Sequence, residues 1–221
     1  MDQQPTVVYF VRHGQTAANA GSIMQGQTDV MLDETGLLQA DIVSERLKNF
    51  SFDVIYSSDL SRALVTAKKI AGNREVIVTP QLREWHLGHW QGKSLDDIKT
   101  MYTDEFNVYL ADSPEFTIVD GESSLEFKAR AENFMQQIAS AHPGKKILCV
   151  SHGGFITKVF KYVLKLETLP RRPRIFNTAL SCFSTADNGT TWQLVFWNDA
   201  SHLDTEFCSR TVGSGPSSAL T

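Results

Sequence analysis

Val7-Val8-Tyr9-Phe10-Val11-Arg12-His13-Gly14 decides the fold class of this chain. Five β-branched and aromatic residues without polar alternation read as a strand buried on both faces, the kind found in parallel sheets covered by helices. Asp53-Val54-Ile55-Tyr56-Ser57 and Lys146-Ile147-Leu148-Cys149-Val150 share that character, and Val76-Ile77-Val78 is a shorter third strand in chain order. Helical patterns separate them. Thr35 is expected to cap a helix with Leu37, Leu38, Ile42 and Leu47 on its apolar face, and a second helix runs from about Leu60 to Ile70. Residues 94–141 read as mostly helical, most clearly from about Ser123 to Ala141. A further helix follows Ser151-His152-Gly153-Gly154, with Phe155, Val159, Val163 and Leu166 facing inward. Ala179 to Ser184 and Trp192 to Trp197 flank Asp187-Asn188-Gly189, and Asn-Gly between two such runs signals a hairpin.

The expected fold is therefore α/β: a mostly parallel central sheet with helices on both faces and a C-terminal antiparallel hairpin. A small helical insert at 94–130 is expected to form a lid. One domain is expected over 1–209, because no linker divides it, and the Gly-, Ser- and Pro-rich segment 210–221 is expected to be a disordered tail.

The chain has 221 residues with 42% hydrophobic and 21% charged, enough to bury roughly 70% of the unfolded surface in one core. Lys plus Arg is 21 and Asp plus Glu is 25, a net charge of −4. That balance argues against nucleic acid or an anionic membrane as partner, since both select a basic face. Cys149, Cys182 and Cys208 form no CxxC pair, so reduced thiols are expected in place of disulfides or a zinc site. The segment Met1-Asp2-Gln3-Gln4-Pro5 lacks the regions of a signal peptide, and no apolar run approaches the ~20 residues that span a bilayer. A cytoplasmic location is the default expectation. The sequence carries no signal for a particular oligomeric state.

Ligands of an open parallel sheet bind outside the carboxyl ends of its strands. Arg12 and His13 follow the first strand, Arg62 opens the helix after the second, Glu84 follows the third and His152 follows the fourth. Two arginines, two histidines and one carboxylate would meet in one crevice, an inventory suited to phosphoryl transfer. Guanidinium groups match phosphate oxygens bidentately and stay charged, so a metal becomes dispensable. Nearby arginines favour neutral His13, whose lone pair can attack phosphorus, and one acidic group can protonate the leaving alkoxide.

Arg12-His13-Gly14-Gln15-Thr16, with Asn19 following, resembles the signature of the histidine phosphatase superfamily, the phosphoglycerate-mutase-like proteins. Tyr56-Ser57-Ser58-Asp59-Leu60-Ser61-Arg62-Ala63 fits in order, then Leu82-Arg83-Glu84 with Gly88, Trp90 and Gly92, then Gly121-Glu122-Ser123, then Val150-Ser151-His152-Gly153-Gly154. The resemblance covers roughly residues 6 to 203. It implies His13 as the phosphorylated nucleophile and Glu84 as proton donor and then base. It further implies Arg12, Arg62 and His152 as the phosphate pocket, with Asn19 in support and Gln25 and Thr28 in a loop that touches substrate. The implied substrate is a small phosphorylated metabolite, a sugar phosphate or phosphoglycerate type, and no cofactor is implied.

Three other readings compete. A phosphoglycerate mutase or bisphosphatase is the enzymatic one, but residues 85–127 contain no arginine and only 67 residues separate Glu84 from His152, short for a mutase cap. A binding module that lost turnover is the second, and it would normally lack one of these residues. Metal binding by His86 and His89 is the third, without an acidic or HxH cluster to support it. Trp90 is expected in the core, while Trp85 is a candidate substrate contact. Lys158, Lys161, Lys165, Arg171, Arg172 and Arg174 are expected on a solvated face, with attraction of anionic substrates as the alternative.

Overall fold

The computed structural model describes residues 4–204. Its six-stranded sheet comprises β1 (Thr6–Arg12), β2 (Val54–Ser58), β3 (Ile77–Thr79), β4 (Lys146–Ser151), β5 (Leu180–Thr185) and β6 (Gln193–Asp199), in the order β3-β2-β4-β1-β5-β6. The first four are parallel, and β5 and β6 are antiparallel additions beyond β1.

Alternating side chains assign the two faces. Ile147 and Cys149 of β4 join Val8 and Phe10 of β1 in one core cluster, beneath α6 (Ser124–Ala141) and α7 (Gly153–Val163). Leu148 and Val150 turn the other way, with Val11, towards α2 (Glu34–Leu47), which follows the single-turn α1 (Ala17–Ala20), and α3 (Ser61–Ala71). The crossover from β1 thus passes one face towards β2, while that from β4 passes the other face towards β5. The chain changes direction between β1 and β4, and such a switch point opens a crevice at the strand ends. Register does the rest: Arg12 is paired with Ser151, so His13 and His152 emerge side by side.

Two expectations about α2 are corrected. Its cap is Asp33, whose side chain accepts the Gly36 N–H at 2.7 Å, with Thr35 already inside the first turn. Leu37 and Leu38 are 40% and 49% exposed, and the inward face carries Gly36, Gln39, Ala40, Val43 and Leu47. The reason is a close approach. A Cβ on Gly36 would lie 2.0 Å from the Gln15 carbonyl oxygen, so α2 must present Gly36 to the backbone after β1. Leu166 is likewise not inward: α7 ends at Val163, and Leu166 is exposed.

Ser123 caps α6 reciprocally with Glu126, as the Ser-x-x-Glu spacing requires. Between Leu110 and Ser123 the chain is irregular, so the helical expectation for 94–141 holds only for α4 (Leu95–Met101), α5 (Thr103–Leu110) and α6. Trp90 is fully buried, as expected. Cys149 and Cys182 are free and buried; burial pushes the Cys149 thiol well up and Cys182 to about 12, so neither is a thiolate at neutral pH. Cys208 and the expected tail lie outside the described residues.

Candidate active site

The loop after β1 is fixed from three directions. The His13 N–H donates to the Ser151 carbonyl at 3.0 Å, the Gly14 N–H to Thr66 Oγ1 at 3.1 Å, and the Gln15 N–H to Gln39 Oε1 at 2.9 Å. The loop therefore arrives at the crevice with little freedom. His13 Nδ1 lies 2.6 Å from the Gly14 carbonyl oxygen, which can only accept, so Nδ1 carries the proton and Nε2 keeps its lone pair. Burial, then Arg62 and Arg12, hold the His13 pKa well below the usual histidine range. The ring is neutral at neutral pH.

His152 packs on His13 with ring centroids 5.1 Å apart, and it is fully buried behind the crevice wall. Its Nε2 is hydrogen-bonded to Ser58 Oγ at 2.9 Å, while Nδ1 has no partner among the described residues. Burial, then Arg62, keep this ring neutral too.

Arg62 is 1% exposed and donates to the carbonyls of Thr28 at 2.8 Å and Gly26 at 2.7 Å. Arg12 donates to the Ile175 carbonyl. Burial lowers both guanidinium pKa values to about 10, against the raising influence of Glu84, so both stay charged at neutral pH. The Nε of each is buried without a partner among the described residues. Glu84 closes the ring of groups. Its two oxygens accept the N–H groups of Trp85 and Gly154, each at 2.9 Å, and a Cβ on Gly154 would lie 2.2 Å from Oε1. A side chain at that position would displace the Glu84 carboxylate.

Arg12, His13, Asn19, Gln25, Arg62 and Glu84 all line one crevice of about 240 Å³. Asn19 Oδ1 is held by Thr16 and Asn177, and Gln25 Oε1 accepts the Thr16 hydroxyl at 3.0 Å. Thr28 departs from expectation: it is exposed and outside the crevice, because its loop turns the backbone carbonyl, rather than the side chain, towards Arg62. Lys158 and Lys161 also depart. Each is only 6% exposed, so this part of α7 is no solvated face.

Several residues that hold the site were not assigned roles from sequence. Arg130 donates to the carbonyls of Gln81, Arg83 and Glu84 and makes a two-point ion pair with Glu122, tying the Glu84 loop to α6. Arg83 grips Asp59 through two hydrogen bonds of 2.8 and 2.6 Å. Among the described residues no group of three or more His, Cys, Asp or Glu is arranged to hold a metal; His89 instead pairs with Glu105.

The buried neutral rings imply a stability profile. His13 and His152 have lowered pKa values, and burial with Arg46 nearby lowers that of His202 to about 4. Below pH 6.5 the unfolded chain takes up protons that the folded chain refuses, so stability is complete above 6.5 and falls as pH drops through it. Urea titrations at pH 7.5 and 5.5 should differ by about 1 kcal/mol for each such histidine. A midpoint unchanged at pH 5.5 would contradict neutral burial.

This arrangement defines a class. The chain belongs to the histidine phosphatase superfamily, whose branch 1 model matches residues 8–200, and it is a phosphatase that hydrolyses phosphomonoesters. It is 34% identical over 202 residues to phosphoglycerate mutase-like protein 4 of Arabidopsis thaliana, covering 89% of this chain and 86% of that one. It is 31% identical over 208 residues to a metal-independent phosphoserine phosphatase of the same plant, covering 92% and 85%. The phosphoserine phosphatase of Entamoeba histolytica, crystallised with phosphoserine, superposes with a TM-score of 0.82 at 28% identity, covering 90% of this chain and 99% of that chain.

Proposed function

We propose that this enzyme transfers the phosphoryl group of a small phosphorylated metabolite to Nε2 of His13, and from there to water, without a metal. The observation that carries the reading is the pairing of a neutral His13, its proton fixed on Nδ1, with two buried guanidinium donors lacking partners among the described residues, Arg12 Nε and Arg62 Nε; His152 Nδ1, likewise without a partner, becomes a third donor when the Ser58 hydroxyl donates to Nε2. Buried donors without partners are costly unless a ligand satisfies them, and a phosphoryl group offers three acceptor oxygens.

Attack by the His13 lone pair breaks the bond from phosphorus to the ester oxygen. The charge spread over the phosphoryl oxygens is met by two fixed guanidinium groups, joined by His152 in the tautomer that carries its proton on Nδ1. Glu84, beside Gly154 at the crevice wall, gives its proton to the departing alkoxide and then takes one from the attacking water. Asn19 and Gln25 border the phosphate from the loop after β1. Residues 94–130 act as the lid, a role supported by Tyr109 and Asp112 in the crevice lining. A cytoplasmic location is supported by the two unpaired, buried thiols.

The electrostatic source is the part most open to test. Hydrolysis of an aryl phosphate should stay within about twofold in excess chelator, whereas loss of a charge clamp would cost ~10²-fold or more. Vanadate, which adopts five-coordinate geometry, should inhibit. Activity lost in chelator and restored by Mg²⁺ would overturn the metal-free reading.

A further inference from the structure

The crevice continues past the catalytic groups along α7. Gly154, Thr157, Lys158 and Lys161 all line it, and that spacing is one face of a helix. Gly154 marks the catalytic end, where its N–H meets Glu84. At the helical rise, Lys158 lies about 6 Å and Lys161 about 10 Å further along the axis.

Charge in this far half is incompletely paired. Lys161 sits 2.5 Å from Asp112, whose other oxygen faces Arg172 at 3.6 Å. Lys158 Nζ meets the Ser124 hydroxyl at 2.9 Å and lies 5.0 Å from the centre of the Trp85 ring, with no carboxylate in ion-pair range among the described residues. Arg172 stacks on Tyr109 at 3.7 Å and lies 5.4 Å from Trp85, its Nε buried without a partner among the described residues. Three cations thus face one carboxylate. A buried charge that served packing alone would be expected to have a partner or be replaced by an apolar residue. Burial, reinforced by Lys161, lowers the Lys158 pKa to about 8, which leaves it mostly charged at neutral pH.

Trp85 fixes the side of the reaction these cations serve. It follows Glu84 directly and carries Lys158 and Arg172 near its ring, so the cations flank the departing alcohol and not the transferred phosphoryl group. We propose that Lys158 and Arg172, backed by Lys161, form a second anion subsite that binds a carboxylate or phosphate on the alcohol portion of the substrate. Preferred substrates then carry a second negative group a few bonds from the ester oxygen. This inference rests on Glu84 marking the leaving-group side.

Titration calorimetry on His13→Ala, which cannot turn substrate over, tests the subsite apart from catalysis. Glycerol 3-phosphate is the neutral-ended ligand, 3-phosphoglycerate adds a carboxylate and propane-1,3-diol bisphosphate adds a phosphate. At least one of the last two should bind about tenfold or more tighter than the first, the gain of a charge-assisted contact, and the preferred one identifies the anion. The preference should fall below about threefold in a background carrying Lys158→Met. Arg172→Gln, at the more open edge, carries the same expectation if Lys158→Met does not fold. Equal affinity for all three ligands, or a preference surviving both substitutions, would overturn the subsite. Failure of all three to bind would overturn the phosphate pocket itself and the subsite with it.

Discussion

Glu84→Gln should slow phosphorylation of His13 by an alkyl phosphate about 10²- to 10⁴-fold, the usual contribution of a general acid. An alkoxide is strongly basic and needs the proton; a nitrophenolate hardly does, so the same step with nitrophenyl phosphate should slow far less. Gln also turns an NH₂ group towards one of the two backbone donors that Glu84 accepts from, Trp85 or Gly154. That positional loss affects both substrates alike, and the difference between them isolates the proton. Because dephosphorylation still needs a base, the variant should release a burst of nitrophenol and then turn over slowly. Equal slowing of both substrates in the burst would make Glu84 an electrostatic or positioning group.

His13→Ala should lower turnover by four or more orders of magnitude, because it removes the attacking atom and not one of several supports. Unlike Glu84→Gln, it should do so whatever the leaving group. Phosphate affinity should survive, since Arg12, Arg62 and His152 remain. Steady-state assays with both esters, beside a melting curve to confirm folding, make the comparison. Residual activity near that of the unsubstituted enzyme would remove His13 from the chemistry.

The legible parts of the sequence were those whose cause is local. β1 and β4 are runs of large apolar residues buried on both faces, and the residues that follow such strands must emerge at the sheet edge. His13, His152, Arg62 and Glu84 could be placed on that ground. What remained hidden depends on partners distant in sequence. Leu37 and Leu38 look like an apolar face, but α2 turns Gly36 inward because a Cβ there would strike the Gln15 backbone, and that rotation leaves the two leucines exposed. Lysines spaced along a helix usually mark solvent; Lys161 is buried because Asp112, 49 residues earlier, meets it. The Arg130 clamp needs carbonyls from residues 81–84, and no pattern near Arg130 announces them. Thr28 is expected to touch substrate, whereas its carbonyl accepts from Arg62 and its side chain lies outside the crevice.

Rapid quenching distinguishes a covalent phosphohistidine from direct attack of water on the ester. The enzyme is mixed with phosphorus-labelled nitrophenyl phosphate, stopped within milliseconds in alkaline detergent, and digested for mass analysis. A phosphohistidine at His13 predicts label that is stable to base and lost in acid, maps to the peptide containing Arg12-His13-Gly14, builds up in Glu84→Gln and is absent from His13→Ala. Label that resists acid, or label on any other residue while turnover proceeds, would contradict the account.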